Sequence, residues 1–391
     1  MGKLKIVIPE YVKKTMNILN KNGFEAYVAG GAVRDAMLGE CPNDWDIATD
    51  ARVEDVQNCF ERHFDTGIKH GTVTVITDGN PVEITTYRIE GEYEKNRRPK
   101  SVEFTADISE DLKRRDFTIN AMAYNDEEGI KDLFGGAEDL KNRIIRCVGD
   151  PDKRFSEDAL RIMRAVRFSS RLGFEIEEHT MDAVKRNCGL LRNISAERIR
   201  SELTATLLSA DDVNVLFDSG IMSVIIPEAD NNSRIVHNVR SDEELKYSAL
   251  FYGKSTETVR GILSRLKFDN RTKYGILNIL NCCYRPVPKD AYMTRKALNI
   301  YGKDVFVKSL ELLKAAGTDT KEMETLFNDV KNDPYAISMI CVTGGDIVNL
   351  GFGGRKVGEI MDYLMESVLR DPGLNSHSAL IDEVKRHFVK K

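Results

Sequence analysis

The chain has 391 residues, of which 41% are hydrophobic and 30% are charged, with a formal net charge of −5. This length exceeds one ordinary hydrophobic core and predicts two to four compact units. The composition is typical of soluble globular proteins, and no apolar run could span a bilayer, so we expect no membrane partner. The seven cysteines are scattered without a CxxC pair. This argues against a disulfide framework or a zinc site and favours a reduced, cytoplasmic protein.

The charge distribution bears on nucleic-acid binding. A net charge of −5 argues weakly against it, because phosphate binding usually requires a basic surface. Net charge is nevertheless a poor measure of a local patch. Basic residues cluster in 95–100, in 113–115 and among the arginines from Arg154 to Arg171. The motifs therefore have to decide the question.

Strand-like patterns are concentrated in the first 145 or so residues. EAYVAGG predicts a short buried strand entering a glycine turn, and VRDAMLG predicts a helix. Four short β-branched segments predict strands of one sheet: WDIAT, TVTVI, VEITTYR and VEFTA. Amphipathic helical patterns follow from about residue 150 to the end. The sequence thus predicts an N-terminal α/β domain followed by an elongated, all-helical remainder.

The first candidate site is the segment GGAVRD (30–35). Gly30 and Gly31 follow a predicted strand, where two glycines let the backbone approach a ligand closely with N–H groups free to meet phosphate oxygens. Arg34 follows within the next helix and can donate two hydrogen bonds to a phosphate. A double glycine alone is usually only a turn, so the segment gains weight from its neighbours.

Carboxylates form the second part of this site. Asp44 and Asp46 are two apart on a predicted strand, so their side chains should project from the same face. Two such charges are unfavourable unless a cation lies between them, and oxygen ligands suit Mg²⁺. Glu83 lies in another predicted strand and could complete a two-metal site for in-line displacement at phosphorus. For Glu83 alone, a solvated strand-edge position is the more common interpretation.

RRDFTINAMA (114–123) is a second candidate segment. It places two cations next to an aspartate and a buried apolar run. Arg115 and Asp116 could therefore lie beside a ribose or a phosphate. An ion-paired surface corner explains the segment about equally well.

EDALRIMRAVRF (157–168) is the third candidate segment. Residues three apart on a helix share a face, so Asp158, Arg161, Arg164 and Arg167 would form one polar stripe. Asp158 accepts hydrogen bonds and Arg161 donates them, so the pair could select incoming C or A. Arg164 and Arg167 would then reach a triphosphate. The alternative is an exposed helix with internal ion pairs.

Taken together and in order, these segments resemble class II tRNA nucleotidyltransferases, the CCA-adding enzymes, and the similar bacterial poly(A) polymerases of the same family. The likeness is dense over about residues 25–205, where GIKHGTVTV and ISAERIRSEL also match. It returns near the C-terminus in TGGDIVNLGFGG (343–354) and the residues that follow. The resemblance implies a polymerase-β-like head with a small mixed sheet, followed by helical parts. The implied division is head 1–147, neck 148–207, body 208–300 and tail 301–391.

The resemblance also implies roles for the candidate residues. Asp44 and Asp46 would bind Mg²⁺, and Glu83 falls where the family has its third carboxylate. Asp158 and Arg161 would recognise the base as a protein template. The nucleotide would further be contacted by Gly30, Gly31, Arg34, Arg115, Asp116, Arg164 and Arg167. The head would hold the 3′ end of tRNA together with CTP or ATP, and the tail would hold the tRNA elbow.

Three activities lie within this family: full CCA addition, partial addition of CC or A, and poly(A) synthesis. Residues 88–104 resemble the flexible loop that full CCA enzymes use to change from C to A and that CC-only relatives lack. We therefore expect full CCA addition, with partial addition or poly(A) synthesis as the alternative. A different class, an inactive RNA-binding relative, is disfavoured because the carboxylates and the base-recognising pair are all present. The sequence makes no prediction of oligomeric state, nor of Mg²⁺ against Mn²⁺.

Overall fold

The chain divides into two compact units, Met1–Glu228 and Ala229–Lys391. The computed structural model describes residues 5–42, 44–91, 93–94, 98–99, 101–209 and 212–389. Within these ranges no helix combines the length and the apolar character needed to cross a membrane. The observed division falls inside the segment expected to be the body, and the four-part division stays a prediction.

The first unit contains all the strands that the structure describes and a set of mostly short helices. The strands are β1 (Ala26–Ala29), β2 (Asp46–Thr49), β3 (His63–Gly67), β4 (Thr72–Thr77), β5 (Asn80–Thr86), β6 (Arg88–Glu90), β7 (Tyr93–Glu94), β8 (Arg98–Pro99), β9 (Val102–Phe104), β10 (Met122–Asn125), β11 (Gly129–Asp132), β12 (Ile144–Ile145) and β13 (Glu175–Ile176). The helices are α1 (Glu10–Lys21), α2 (Gly31–Met37), α3 (Val53–Cys59), α4 (Ile108–Lys113), α5 (Gly136–Asn142), α6 (Pro151–Glu157), α7 (Leu160–Leu172), α8 (Glu178–Asn187), α9 (Ala196–Ser209), α10 (Asn214–Asp218) and α11 (Ile221–Ile225). Single 3₁₀ segments lie at Ile68–His70, Thr118–Asn120 and Cys188–Asn193.

A mixed sheet of seven described strands organises the head, in the order β11-β10-β1-β2-β5-β4-β3. Its neighbours are antiparallel except β2 and β5, which run parallel. Along β4 the alternation places Val73 and Val75 in the core and Thr72 and Thr74 on the opposite, half-open face. The predicted α/β head with a helical remainder is confirmed.

One strand was assigned to the wrong sheet by the sequence pattern. VEFTA forms β9, which pairs with β6 in a separate two-stranded sheet. The chain leaves the main sheet at Tyr87, whose N–H donates to the carbonyl of Thr49 and whose carbonyl accepts from Thr105. A β-branched alternating pattern identifies a strand but does not identify its partner. The prediction that all four segments share one sheet is therefore wrong for VEFTA.

The helix predicted over 157–168 is interrupted. α6 ends at Glu157, Asp158 has extended backbone angles, and α7 begins at Leu160. The Asp158 carboxylate accepts the N–H of Leu160 at 3.1 Å, which satisfies a free donor at the start of α7. Asp158 therefore precedes the helix that carries Arg161, and the prediction that it continues the polar stripe of that helix is wrong.

The second unit is helical throughout the part that the structure describes. Its helices are α12 (Ser233–His237), α13 (Glu243–Leu250), α14 (Thr256–Arg265), α15 (Asn270–Cys283), α16 (Ala291–Tyr301), α17 (Lys303–Ala315), α18 (Lys321–Val330), α19 (Gly344–Asn349), α20 (Arg355–Arg370) and α21 (His377–Phe388). Two 3₁₀ segments lie at Ile337–Met339 and Pro372–Leu374. Side-chain caps define several helix starts, as at Asp242 for α13 and Asp269 for α15. The glycine-rich stretch forms α19, capped by Thr343, and the turn into α20.

Candidate active site

A polar cavity of about 750 Å³ opens on the first unit. Most of the predicted site residues line it: Gly30, Gly31, Arg34, Asp46, Glu83, Arg115, Asp116, Asp158, Arg161, Arg164 and Arg167. Asp44 is the one predicted site residue outside the lining. Segments separated by more than 130 positions in the chain thus meet at one place.

The glycine turn forms one wall of the cavity. Gly30 follows β1 with a φ of +75°, which side chains other than glycine rarely adopt. A Cβ atom at this position would lie 2.5 Å from Nη1 of Arg115. The turn is held by the Gly30 N–H, which donates to the carbonyl of Met122 at 3.0 Å. The backbone angle therefore requires glycine here, whereas the guanidinium end of Arg115 is on a flexible side chain and could shift to make room for a Cβ atom.

Arg34 lies behind this turn and is almost fully buried. Its Nη1 donates to Oδ1 of Asn120 at 2.6 Å, and its Nε donates to Asp35 at 2.7 Å. The guanidinium also lies over the ring of Phe168, 5.1 Å from the centroid. Asn120 itself lines the cavity and was missed, although its segment, RRDFTINAMA, had been singled out.

Two carboxylates face each other across the centre of the sheet. Asp46 opens β2 and lies directly opposite Glu83 of the parallel strand β5, and both side chains are open to the cavity. Desolvation raises the pKa of Asp46, and the negative charges of Glu83 and Asp44 raise it further. Ionised Asp46 is therefore unfavourable without a compensating positive charge, of which Arg115 supplies only a part.

Asp44 lies outside the strand on which it was predicted, while its predicted role as a metal ligand stays a prediction. β2 begins at Asp46, and its ladder with β1 begins at Ile47, so Asp44 precedes the strand and is exposed. Among the described residues, no three acidic, histidine or cysteine side chains are gathered closely enough to hold a metal ion by themselves. Mg²⁺ commonly takes one or two protein carboxylates and completes its shell with water and substrate phosphate. The opposed pair Asp46 and Glu83, with the charge of Asp44 nearby, fits such a divalent cation.

Asp116 is a buried carboxylate in the cavity lining. Its Oδ2 accepts from Nε of Arg164 at 2.7 Å, and its Oδ1 accepts from Asn120 and from the N–H of Phe117. Burial by itself would raise the pKa of this carboxyl, but the Arg164 charge and the Asn120 hydrogen bond lower the pKa of Asp116 to about 2. The pair therefore holds Arg164 in place at the cavity wall, and because Asp116 is buried the segment is ion-paired without being a surface corner.

The contribution of the Asp116–Arg164 ion pair to stability should be measurable by unfolding the protein at different pH values. One pKa unit corresponds to about 1.4 kcal/mol, so lowering the pKa from 3.8 to about 2 stabilises the fold by about 2 kcal/mol at neutral pH. This stabilisation is complete above about pH 4 and is lost as the pH falls towards 2. We expect Asp116→Asn to lower the free energy of unfolding in urea by about that amount at pH 7, and the difference to shrink below pH 4.

The exposed Asp152–Arg186 pair provides the control, because Asp152→Asn removes a similar ion pair in high dielectric and should change stability little. Equal acid dependence of the Asp116→Asn variant and the parent protein would contradict the assignment.

The two residues expected to recognise the base are each held by ion pairs. Asp158 accepts from Nη2 of Arg198 at 2.9 Å. Arg161 is buried to 8% exposure, and it donates to Glu157 at 2.9 Å and to the carbonyl of Arg114 at 2.8 Å. Both still line the cavity, so their groups are fixed in direction before a nucleotide arrives.

Several polar lining residues were not predicted. One of them, Arg198, belongs to the segment ISAERIRSEL. The same segment supplies Glu202, which forms an ion pair with the predicted residue Arg167 at 3.2 Å. The unpredicted polar lining residues include His70, Thr72, Thr85, Arg88, Glu90, Arg114, Arg171 and Arg198. The loop expected over 88–104 is based on β6 and β9, while residues 92, 95–97 and 100 lie outside the described part of the chain.

Two family models and several known proteins match this chain. A family model described as the poly A polymerase head domain matches residues 26–146. A second, described as the probable RNA and SrmB-binding site of polymerase A, matches residues 173–232. The CCA-adding enzyme of Ligilactobacillus salivarius (strain UCC118) is 36% identical over 401 residues, covering 98% of this chain and 98% of the relative.

Solved structures give the same result. The crystal structure of the Bacillus stearothermophilus CCA-adding enzyme in complex with CTP has a TM-score of 0.80 at 30% identity, covering 97% of this chain and 99% of that one. The Thermotoga maritima CCA-adding enzyme complexed with tRNA shares the fold, with a TM-score of 0.71 at 21% identity over 98% of this chain and 96% of that one. The chain therefore belongs to the CCA-adding enzymes, a family of metal-dependent nucleotidyltransferases.

Proposed function

We propose that this protein adds C, C and A to the 3′ end of tRNA, using CTP and ATP without a nucleic-acid template. The observation that carries the proposal is the opposed pair of Asp46 and Glu83 in one cavity with a glycine turn and several arginines. This arrangement combines sites for a cation and for a triphosphate, which nucleotidyl transfer requires. Support for the substrate comes from the Bacillus stearothermophilus relative, which was crystallised with CTP.

Mg²⁺ is the proposed cation. Asp46 and Glu83 would hold it. Asp44 does not line the cavity but is close enough for its charge to act on Asp46, and it would supply a further oxygen ligand. When bound, it would stabilise the negative charge that develops on the transferring phosphate. The raised pKa of Asp46 supports this role, because its ionised form is disfavoured by desolvation and by the charge of Glu83, and a bound cation would offset both effects.

The chain's own residues would position the nucleotide. The backbone at Gly30 and Gly31, with Arg34 and Arg164, would hold the triphosphate, and Arg115 and Asp116 would lie beside the ribose or α-phosphate. In the reaction the RNA 3′ oxygen bonds to the α-phosphorus. The bond from that phosphorus to the oxygen bridging to the β-phosphate breaks, so pyrophosphate leaves. The hydroxyl proton passes to solvent.

Asp158 and Arg161 would act as the template for the base. An acceptor and a donor with fixed directions can distinguish the Watson–Crick edges of C and A from those of U and G. The existing ion pairs with Arg198 and Glu157 would set those directions. In the proposed division the head (1–147) and neck (148–207) perform this chemistry, and the body (208–300) and tail (301–391) hold the tRNA as far as its elbow. A cytoplasmic location goes with this substrate.

Extension of a tRNA that ends before its CCA tests the proposal. With CTP alone we expect two additions, with ATP alone none, and with both nucleotides three additions that stop at CCA, read at single-nucleotide resolution. Chelation of divalent cations should abolish all of them. Stopping at CC, adding A only to a CC end, or continuing into poly(A) would each replace the proposal by that activity. No extension under any condition would place the chain among inactive RNA-binding relatives.

A further inference from the structure

The cavity continues past the two carboxylates. Across the sheet the order β1, β2, β5, β4 places the glycine turn first, then Asp46, then Glu83 with Thr85, and finally Thr72. Neighbouring strands lie about 4.8 Å apart, so within the sheet the two carboxylates lie between the glycine turn and a second polar side. We name this second side the threonine flank and define it as His70, Thr72, Thr85 and Arg88.

The two threonines of the flank are hydrogen-bonded to each other. Thr72 and Thr85 are directly opposite in the antiparallel ladder of β4 and β5, and their hydroxyl oxygens lie 3.1 Å apart. Both side chains are half-buried and line the cavity. Two hydroxyls carry two donor hydrogens and four lone pairs, and their mutual bond uses one of each. The pair therefore presents a donor and several acceptors to a ligand in the cavity.

His70 has a fixed backbone and an open ring. Its carbonyl accepts a hydrogen bond from Nη1 of Arg88, and the next carbonyl, that of Gly71, accepts the N–H of Thr86 at 2.9 Å. Gly71 has a φ of +78°, and a Cβ atom there would lie 2.6 Å from the ring of Phe104. Within the described ranges the His70 ring has no hydrogen bond or ion pair, and it is exposed at the cavity edge. Such a ring can meet a ligand with little cost of ordering its backbone.

We propose that the threonine flank binds the 3′-terminal nucleotide of the RNA that is extended. The inference rests on the proposed function and specifies where its second substrate binds. In phosphoryl transfer the attacking and leaving oxygens lie roughly in line. The glycines and arginines hold the triphosphate and so direct the leaving pyrophosphate to their own side. The attacking 3′ hydroxyl must then arrive from the opposite side, which is the threonine flank.

The chemistry of the flank matches a terminal ribonucleotide. Paired hydroxyls from Thr72 and Thr85 can bind the ribose 2′ hydroxyl, which both donates and accepts. An exposed imidazole can stack on an unpaired base, as aromatic side chains commonly do in single-stranded RNA recognition. Arg88 forms an ion pair with Glu90 at 2.9 Å and donates to the carbonyl of His70. We therefore assign Arg88 to holding the backbone of His70 in place and not to binding an RNA phosphate.

Primers that differ only at the terminal 2′ position test the threonines. Thr72→Val and Thr85→Val keep the branched shape and remove the hydroxyls. For the parent protein we expect kcat/KM to fall about fivefold to tenfold when the terminal nucleotide is 2′-deoxy, as for loss of one hydrogen bond. The double variant should show that loss already with the ribose primer, no further loss with the deoxy primer, and an unchanged KM for CTP.

Thr66→Val is the matched control, because it breaks the same kind of hydroxyl pair, with Thr74 at 2.9 Å, outside the cavity lining. It should behave like the parent protein. A double variant that keeps the full deoxy penalty would overturn the inference. Absence of extension by the parent protein would instead overturn the proposed function, so the two failures are distinguishable.

His70 is tested by stacking. His70→Ala should raise the KM for the RNA primer about fivefold, a factor within the ~1–3 kcal/mol measured for base–aromatic stacking, and leave the KM for CTP unchanged. His70→Phe retains an aromatic face and should restore most of the primer affinity. Equal behaviour of the Ala and Phe variants, or a change confined to the KM for CTP, would remove His70 from the site.

Discussion

Asp46→Asn should reduce nucleotide addition by on the order of 10³-fold or more, without lowering the melting temperature of the protein. Asparagine is nearly isosteric but lacks the negative charge that a divalent cation requires. The same charge is unfavourable in the metal-free fold, because desolvation and the charges of Glu83 and Asp44 raise the pKa of Asp46. Removal of the charge therefore relieves repulsion while it abolishes function.

The difference in melting temperature between Asp46→Asn and the parent protein should depend on pH. A carboxyl whose pKa is raised by folding lowers stability once the pH is above that pKa, and the penalty disappears as the carboxyl is protonated. In the presence of a chelator, the melting temperature of Asp46→Asn should therefore equal that of the parent protein in acid and exceed it at neutral pH. Added Mg²⁺ should raise the melting temperature of the parent protein only, since a ligand stabilises the state that binds it.

Two further variants sharpen the assignment. Asp65→Asn changes a strand aspartate of the same sheet that accepts from Gln57 outside the cavity lining, and it should leave activity and the Mg²⁺ response unchanged. Asp44→Asn tests the carboxylate that precedes β2, and a loss equal to that of Asp46→Asn would support its role as a ligand. Binding of tRNA should persist in each variant. Extension of tRNA by Asp46→Asn at the parental rate would refute the proposed metal site.

The sequence predicted those parts of the site that depend only on residues close together in the chain. The adjacent glycines Gly30 and Gly31 indicated the turn, and β-branched alternation placed Asp46 and Glu83 on strands. The direct opposition of these two carboxylates depends on the parallel register of β2 and β5, which is a long-range property. For the same reason the pattern could identify the strand VEFTA but could not assign it to its sheet.

The residues that sequence reasoning missed lack such a signature. Thr72 and Thr85 are ordinary strand residues, and only the antiparallel register brings their hydroxyls together in the cavity. Asp158 was expected on a helix because charged residues three apart suggest one. Its carboxylate instead caps the following backbone, an alternative that aspartate offers at many positions.

Arg161→Ala should weaken the choice among nucleotides more than it weakens tRNA binding. The guanidinium lines the cavity and donates to Glu157 and to the carbonyl of Arg114, so its direction is fixed before the base arrives. A well-oriented pair of hydrogen bonds discriminates between bases by about 1–3 kcal/mol, or roughly 5- to 150-fold. Competition of UTP and GTP against CTP and ATP, measured at each position of the added end, should show a loss of selectivity in that range.

Arg154 provides a closely matched control for this variant. It donates to the same Glu157 oxygen at 2.7 Å and to a backbone carbonyl, that of Val148, but it does not line the cavity. Both truncations leave a partly buried carboxylate with one donor fewer, so both should destabilise the fold by about 1–3 kcal/mol. Only Arg161→Ala should change nucleotide choice. If the two variants altered selectivity equally, the effect would come from the misplaced Glu157 and its helix, and the template role of Arg161 would be lost.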